Sequence, residues 1–73
     1  MKLIISRHAR NRNRKINASP EELLEAIEYP DSRYVGERNR LVAIKAVENK
    51  LLKVVYTVEE DGYHIITIID RNQ

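Results

Sequence analysis

At 73 residues with no cysteine, the chain has room for one domain spanning 1–73, and it has neither disulfides nor thiolate metal sites to staple it. Charged residues make up 33% of it, yet the formal net charge is only +2. Only Gly36 and Gly62 occur, which excludes a glycine-rich phosphate loop, and two histidines far apart make no transition-metal ligand set, so no cofactor is expected.

The chain opens with Lys2 to Ile5, short, β-branched and apolar, which predicts a first strand. An apolar opening of this length falls short of the roughly 7–15 residues of a signal peptide, and no later run approaches membrane-spanning length. The expectation is a cytoplasmic protein with no membrane partner.

Ser6 is placed to cap a helix running through about Lys15, with Asn17 as its stop. At about 100° per residue, Ile5, Ala9 and Ile16 share one face of that helix. Arg7, Arg10 and Arg14 point the opposite way, flanked by Asn11 and Lys15. His8 and Arg12, one turn apart, sit at the edge of the apolar face. The second helix is announced by Ser19-Pro20-Glu21-Glu22, an N-cap serine, an N1 proline and a glutamate placed to complete a capping box. Pro20, Leu23, Leu24 and Ile27 form its apolar face, Glu21, Glu25 and Glu28 line the other side, and Pro30 ends it.

From Arg33 onward the pattern is β. Arg33-Tyr34-Val35 reads as a short strand broken at Gly36. Arg40 to Val47 alternates, with Val42, Ile44 and Ala46 expected on one face and Leu41, Ala43 and Lys45 on the other. Glu48-Asn49-Lys50 is a turn in which Asn49 tolerates a left-handed backbone. Leu51 to Val58 follows, with Leu52, Val54, Tyr56 and Val58 inward. Asp61-Gly62 marks the last hairpin. Tyr63 to Asp70 is apolar on both faces, which suits a doubly covered strand or an oligomer interface. The expected fold class is α+β, β-α-α-β-β-β-β, two helices packed on one face of a twisted antiparallel sheet. The other face, bearing Leu41, Lys45, Lys53, Val55 and Thr57, is too apolar to be an indifferent solvent surface.

The charge is strongly polarised. Residues 1–20 carry six bases and no acid, residues 21–31 carry five acids and no base, and the remainder is nearly balanced. Arg7, Arg10, Arg14 and Lys15 form a stripe suited to phosphates, with Asn11 and Asn13 available to sugars or phosphates. Two other readings compete: the stripe neutralises the acidic second helix, or it is a solvated face. His8 and Arg12 could offer an acid–base group and a phosphate clamp, or Arg12 could pair with a carboxylate while His8 packs. His64 is more simply structural, and Tyr56 points into the core. Tyr34 and Tyr63, near turns, could stack on bases.

Four segments taken together carry a family resemblance: His8-Ala9-Arg10-Asn11-Arg12 (H-A-x-x-R), Glu25 to Pro30, Leu52-Lys53-Val54-Val55-Tyr56, and Ile65-Ile66-Thr67-Ile68. In order and spacing the chain resembles the RelE/ParE toxin superfamily, and more closely a small branch of it with the H-A-x-x-R opening. RelE-type members cleave messenger RNA in the ribosomal A site without a metal, ParE-type members act on DNA gyrase, and both are usually silenced by an antitoxin peptide. The resemblance implies a toxin-type protein contacting RNA or the ribosome, an endoribonuclease if it is an enzyme, with an antitoxin peptide on the open sheet face. Metal-independent cleavage needs a base, an acid and cations around the phosphate. The candidates are His8, Arg12 and, by resemblance alone, Arg71. Arg7, Arg10, Arg14 and Lys15 would bind phosphate, with Lys45 and Lys53 assisting from the open face. The alternative is a non-enzymatic binding module of the same fold, and a second copy of the chain is a further candidate partner.

Overall fold

A computed structural model describes residues 2–72. Strand β1 (Leu3–Ile5) leads into helix α1 (Arg7–Ile16) and helix α2 (Pro20–Glu28), followed by β2 (Ser32–Val35), β3 (Leu41–Val47), β4 (Lys50–Glu59) and β5 (Gly62–Asp70). The five strands form one sheet in the order β1-β5-β4-β3-β2. The architecture is α+β, with the element order that the residue pattern predicts.

Local chemistry accounts for the helix ends. Ser6 holds an extended backbone and its hydroxyl accepts the Ala9 amide at 3.1 Å, while Asn17 closes α1 in the left-handed conformation at φ 60°. Helix α2 carries the full reciprocal box: Glu22 N–H donates to the Ser19 hydroxyl at 3.1 Å and Ser19 N–H to the Glu22 carboxylate at 2.9 Å. Asn13 ties the two helices together, its amide donating to the Ala18 carbonyl and accepting the Ala18 N–H, both at 2.9 Å. Asn13 is therefore engaged in the helix–helix link, not presented to sugars or phosphates.

Beneath the helices lies the core, in which Leu23, Ala26 and Ile27 of α2 meet Ala43, Leu52, Val54, Tyr56, Ile65 and Ile68 of the sheet. Three features depart from the sequence expectation. The sheet is mixed: β1 pairs parallel to β5, Leu3 opposite Tyr63 and Ile5 opposite Ile65. Three residues carry no pairing direction of their own, so only the position of α1 fixes it.

The second departure is the parity of β3. Leu41, Ala43 and Lys45 oppose Tyr56, Val54 and Leu52, so they share the helix-covered face, while Val42, Ile44 and Ala46 belong to the open one. The strand is apolar on both sides, so its alternation offers no contrast to fix which face is inward. Lys45 sits at the margin of the covered face and pairs with Asp31 at 3.7 Å, away from the open face where it was expected with Leu41. Lys53 does lie on the open face, opposite Ile44.

Third, β5 carries a bulge. Val55 opposes Thr67 but Tyr56 opposes Ile65, leaving Ile66 as the extra residue. The inward set therefore switches from Tyr63 and Ile65 to Ile68 and Asp70. That switch is why the segment reads as apolar on both faces.

The turns complete the frame. Between β2 and β3, Arg38 and Asn39 both adopt positive φ, 58° and 59°, as the two central residues of a tight hairpin turn closed by Arg40 N–H donating to the Glu37 carbonyl at 3.1 Å. In the β3–β4 turn it is Glu48, at φ 53°, that takes the left-handed backbone expected of Asn49. Gly62 at φ 140° starts β5 where a Cβ would overlap the Lys2 carbonyl.

Candidate functional site

Strand β1 covers only the first part of β5, and beyond Ile65 the edge of β5 would present bare carbonyl groups. Here the chain turns at Ser6 and lays α1 along that edge. Ser6 N–H donates to the Ile65 carbonyl at 3.1 Å, and its hydroxyl donates to the Ile66 carbonyl at 3.0 Å. His8 Nε2 lies 3.1 Å from the Thr67 hydroxyl. One turn further on, Arg12 Nε donates to the Ile68 carbonyl at 3.1 Å. The i, i+4 spacing of His8 and Arg12 thus matches the march of α1 along the strand. Ala9 between them is fully buried, which lets the helix lie close to the sheet.

The structure brings His8 and Arg12 together, as the sequence predicts, with a backbone carbonyl as the partner of Arg12 where a carboxylate had been considered. Beside them is a groove of about 470 Å³ between α1 and the end of β5. Its lining adds Asn11 and Lys15 to the pair, with Ile16 and Ile69 as apolar walls. Asp70 also reaches it, but its carboxylate is tied to the backbone, accepting the Leu51 and Asn72 amides, each at 3.0 Å. Arg71 does not line this groove. Its amide donates to the Leu51 carbonyl at 2.8 Å, past the end of β5, and its side chain is exposed.

Arg7, Arg10 and Arg14 project from the outer side of α1 and are exposed. Among the described residues, none of Arg7, Arg10, Arg12 and Arg14 has a carboxylate within ion-pair distance. Three of the five acids in residues 21–31 have partners outside α1: Glu22 in the capping box and with Lys50 at 3.7 Å, Asp31 with Lys45 at 3.7 Å, and Glu28 as acceptor of the Tyr63 hydroxyl at 3.3 Å. The arginines of α1 therefore make no ion pair with the acids of α2 among the described residues. Placing Arg14 and Lys15 in the last turn of α1 also sets positive charge against the negative end of the helix dipole.

A second groove, of about 490 Å³, lies on the open sheet face. Lys53 lines it together with Tyr34, Arg38, Arg40, Val42 and Val55. Arg38 and Arg40 escape a reading of the stripe because they lie in the hairpin turn, Arg38 at its centre and Arg40 closing it; the signal is the R-N-R run that joins β2 to β3. Ile69 lines both grooves, so they are neighbours across one side chain. His64 lies at the far end of the strand, 2.7 Å from the Asp61 carboxylate. That hydrogen bond holds the Asp61 carboxyl below the ordinary carboxylate value.

No group of three or more metal-ligating side chains occurs among the described residues, and no helix among them is long and apolar enough to cross a membrane. The fold and site define a small α+β domain whose basic helix seals one sheet edge and shows its arginines to solvent. The chain belongs to the DUF4258 family, a domain of unknown function, whose model matches residues 5–70. Neither the curated proteins nor the solved structures contain a significant match to it.

Proposed function

We propose that the chain binds RNA through its phosphate backbone, with the outer face of α1 as the contact surface and the adjoining groove receiving one stretch of the strand. The observation that carries this reading is the set of exposed α1 arginines with no carboxylate partner among the described residues. Unneutralised bases on one helix face release counterions from a polyphosphate and so bind it without reading sequence. The choice of RNA as the polymer rests on the RelE-type resemblance expected from the sequence. Asn11, on the groove wall, supplies amide groups for sugar or phosphate oxygens.

Binding, not cleavage, is the reading favoured by the side chains of the H-A-x-x-R segment. Arg12 and His8 are held by the β5 edge, which gives both a structural purpose. Arg12 still keeps free guanidinium N–H groups, since only Nε is committed to Ile68. In a ribonuclease, His8 would be the acid–base group and Arg12 the phosphate clamp.

The test is titration of the full chain into a labelled single-stranded RNA, followed by fluorescence anisotropy between about 50 and 200 mM salt. Engagement of about four phosphates predicts a slope of log K against log salt near −3. Salt-insensitive binding, or none at the lowest salt, would sink the proposal. Induced expression in a bacterial host addresses cleavage: intact transcripts are expected, whereas discrete cuts that His8→Ala abolishes in a folded protein would establish the ribonuclease.

A further inference from the structure

Helix α2 is only nine residues, about 14 Å of helix, whereas β4 beneath it runs ten residues, about 33 Å. The covered face of the sheet is therefore left bare past Glu28. Val35 of β2 opposes Leu41, which opposes Tyr56, so these residues share that face. Three of the four exposed large hydrophobic side chains gather at this end: Tyr29 at 71%, Val35 at 64% and Val58 at 51%. Tyr29 and Val58 line a notch of about 440 Å³ floored by Leu41, Tyr56 and Tyr63.

Beside the notch, β2 is the terminal strand of the sheet and all four of its residues are exposed. The strand contains no proline and no bulge, and its one charged residue is Arg33, so little protects the edge from pairing with another strand. We propose that the chain forms a two-fold dimer through antiparallel pairing of β2 with β2 of a second copy, burying the two notches, with Tyr29, Val35 and Val58, side by side.

The charges around the notch favour a second copy over a different partner. Glu28 and Arg33 both line it, one acid and one base, and neither has an ion-pair partner among the described residues. Both also act on the Tyr63 phenol, whose ionisation is pushed up first by burial and then by Glu28, and eased by Arg33. A strongly acidic or basic partner would meet repulsion at one of them. A two-fold axis instead sets Glu28 of each copy towards Arg33 of the other, the self-complementary pattern of an isologous interface. The opposite sheet edge is only the three-residue β1 followed by α1, too short to template a further strand, so pairing stops at two copies and does not propagate. Helix α1 remains on the outer edge of each copy, so this assembly does not depend on RNA binding.

Sedimentation of the full chain over a wide concentration range tests it. The weight-average mass is expected to rise from 8.6 kDa towards twice that value. Val35→Lys, at an exposed position, is expected to keep its circular dichroism and remain monomeric. Glu28→Arg and Arg33→Glu are each expected to weaken association about tenfold, since each turns two attractions into repulsions. The double variant is expected to restore it. A monomeric wild-type chain at all concentrations, a Val35→Lys dimer, or a double variant no better than the singles would each overturn the proposal.

Discussion

Beside β5, the sheet ends in a three-residue strand and then in the side chains of a helix; beside β3, it ends in four exposed residues with nothing laid over them. At the first edge, Ser6, His8 and Arg12 reach hydrogen-bonding groups that β1 is too short to meet. At the second, β2 keeps its outward amides and carbonyls free. A small domain has few places to spend polar side chains, and this one commits a serine and an arginine to carbonyls of β5 and sets a histidine on a β5 side chain. An arginine of catalytic type can thus be explained by a backbone carbonyl that needs a partner. What remains for recognition is the charge that points away from the sheet, on α1, and the bare strand on the far side.

The largest expected effect on the closed edge comes from Gly62→Ala. Gly62 lies at φ 140° and its Cβ would overlap the Lys2 carbonyl, so β1 must move off β5 or the turn must break. A loss of about 3 kcal/mol or more is expected in urea unfolding. Ser6→Ala comes next, because one hydroxyl both caps α1 and donates to Ile66. About 2 kcal/mol is expected. Arg12→Ala strands the Ile68 carbonyl and is expected to cost about 1–2 kcal/mol, with Arg12→Lys recovering only part of it. At the open edge the contrast should be plain: Arg33→Thr is expected to leave unfolding of the dilute monomer within about 0.5 kcal/mol of wild type.

The smallest effect concerns Asp61. Its carboxyl is lowered from the model-compound value of 3.8, first by the hydrogen bond from His64. A depressed folded value means that the stabilisation is present above the unfolded pKa and disappears as pH falls through the folded one. The window therefore lies at and below about pH 4. An NMR titration of the Asp61 carboxyl carbon is expected to move towards the ordinary carboxylate range in His64→Gln. An unchanged titration would show that His64 is not the cause.

Much of this frame is legible in the residues. Ser19-Pro20-Glu21-Glu22 fixes the start of α2 through side-chain chemistry that is entirely local. Ser6 and Asn17 do the same for α1, and the inward set of β4 is readable because Lys53 and Thr57 interrupt its apolar residues. Where a strand is apolar on both sides, the pattern loses its contrast, and β3 takes the parity opposite to the one expected. In β5 the bulge at Ile66 is a tertiary feature: the alternation changes phase with no glycine or proline to mark it. Among the candidate residues, the pairing of His8 with Arg12 follows from helical spacing. Their partners on β5 lie about sixty residues away in the chain, as the separations of 59 and 56 show, and no local rule could name them. Lys45 was placed by an alternation that the sheet reverses, and Arg71 by resemblance, with neither burial nor hydrogen-bond pattern to locate its side chain.

The account turns on the outward charge of α1, so the most direct measurement is the salt dependence of RNA binding by Arg7→Gln/Arg10→Gln/Arg14→Gln beside the wild-type chain. These three side chains are exposed and unpaired with carboxylates among the described residues, so the variant is expected to fold and unfold as wild type does. If they contact phosphates, the slope of log K against log salt should become shallower by about 2, with weaker binding to every RNA sequence tried. An unchanged slope and affinity in the folded variant would contradict the account.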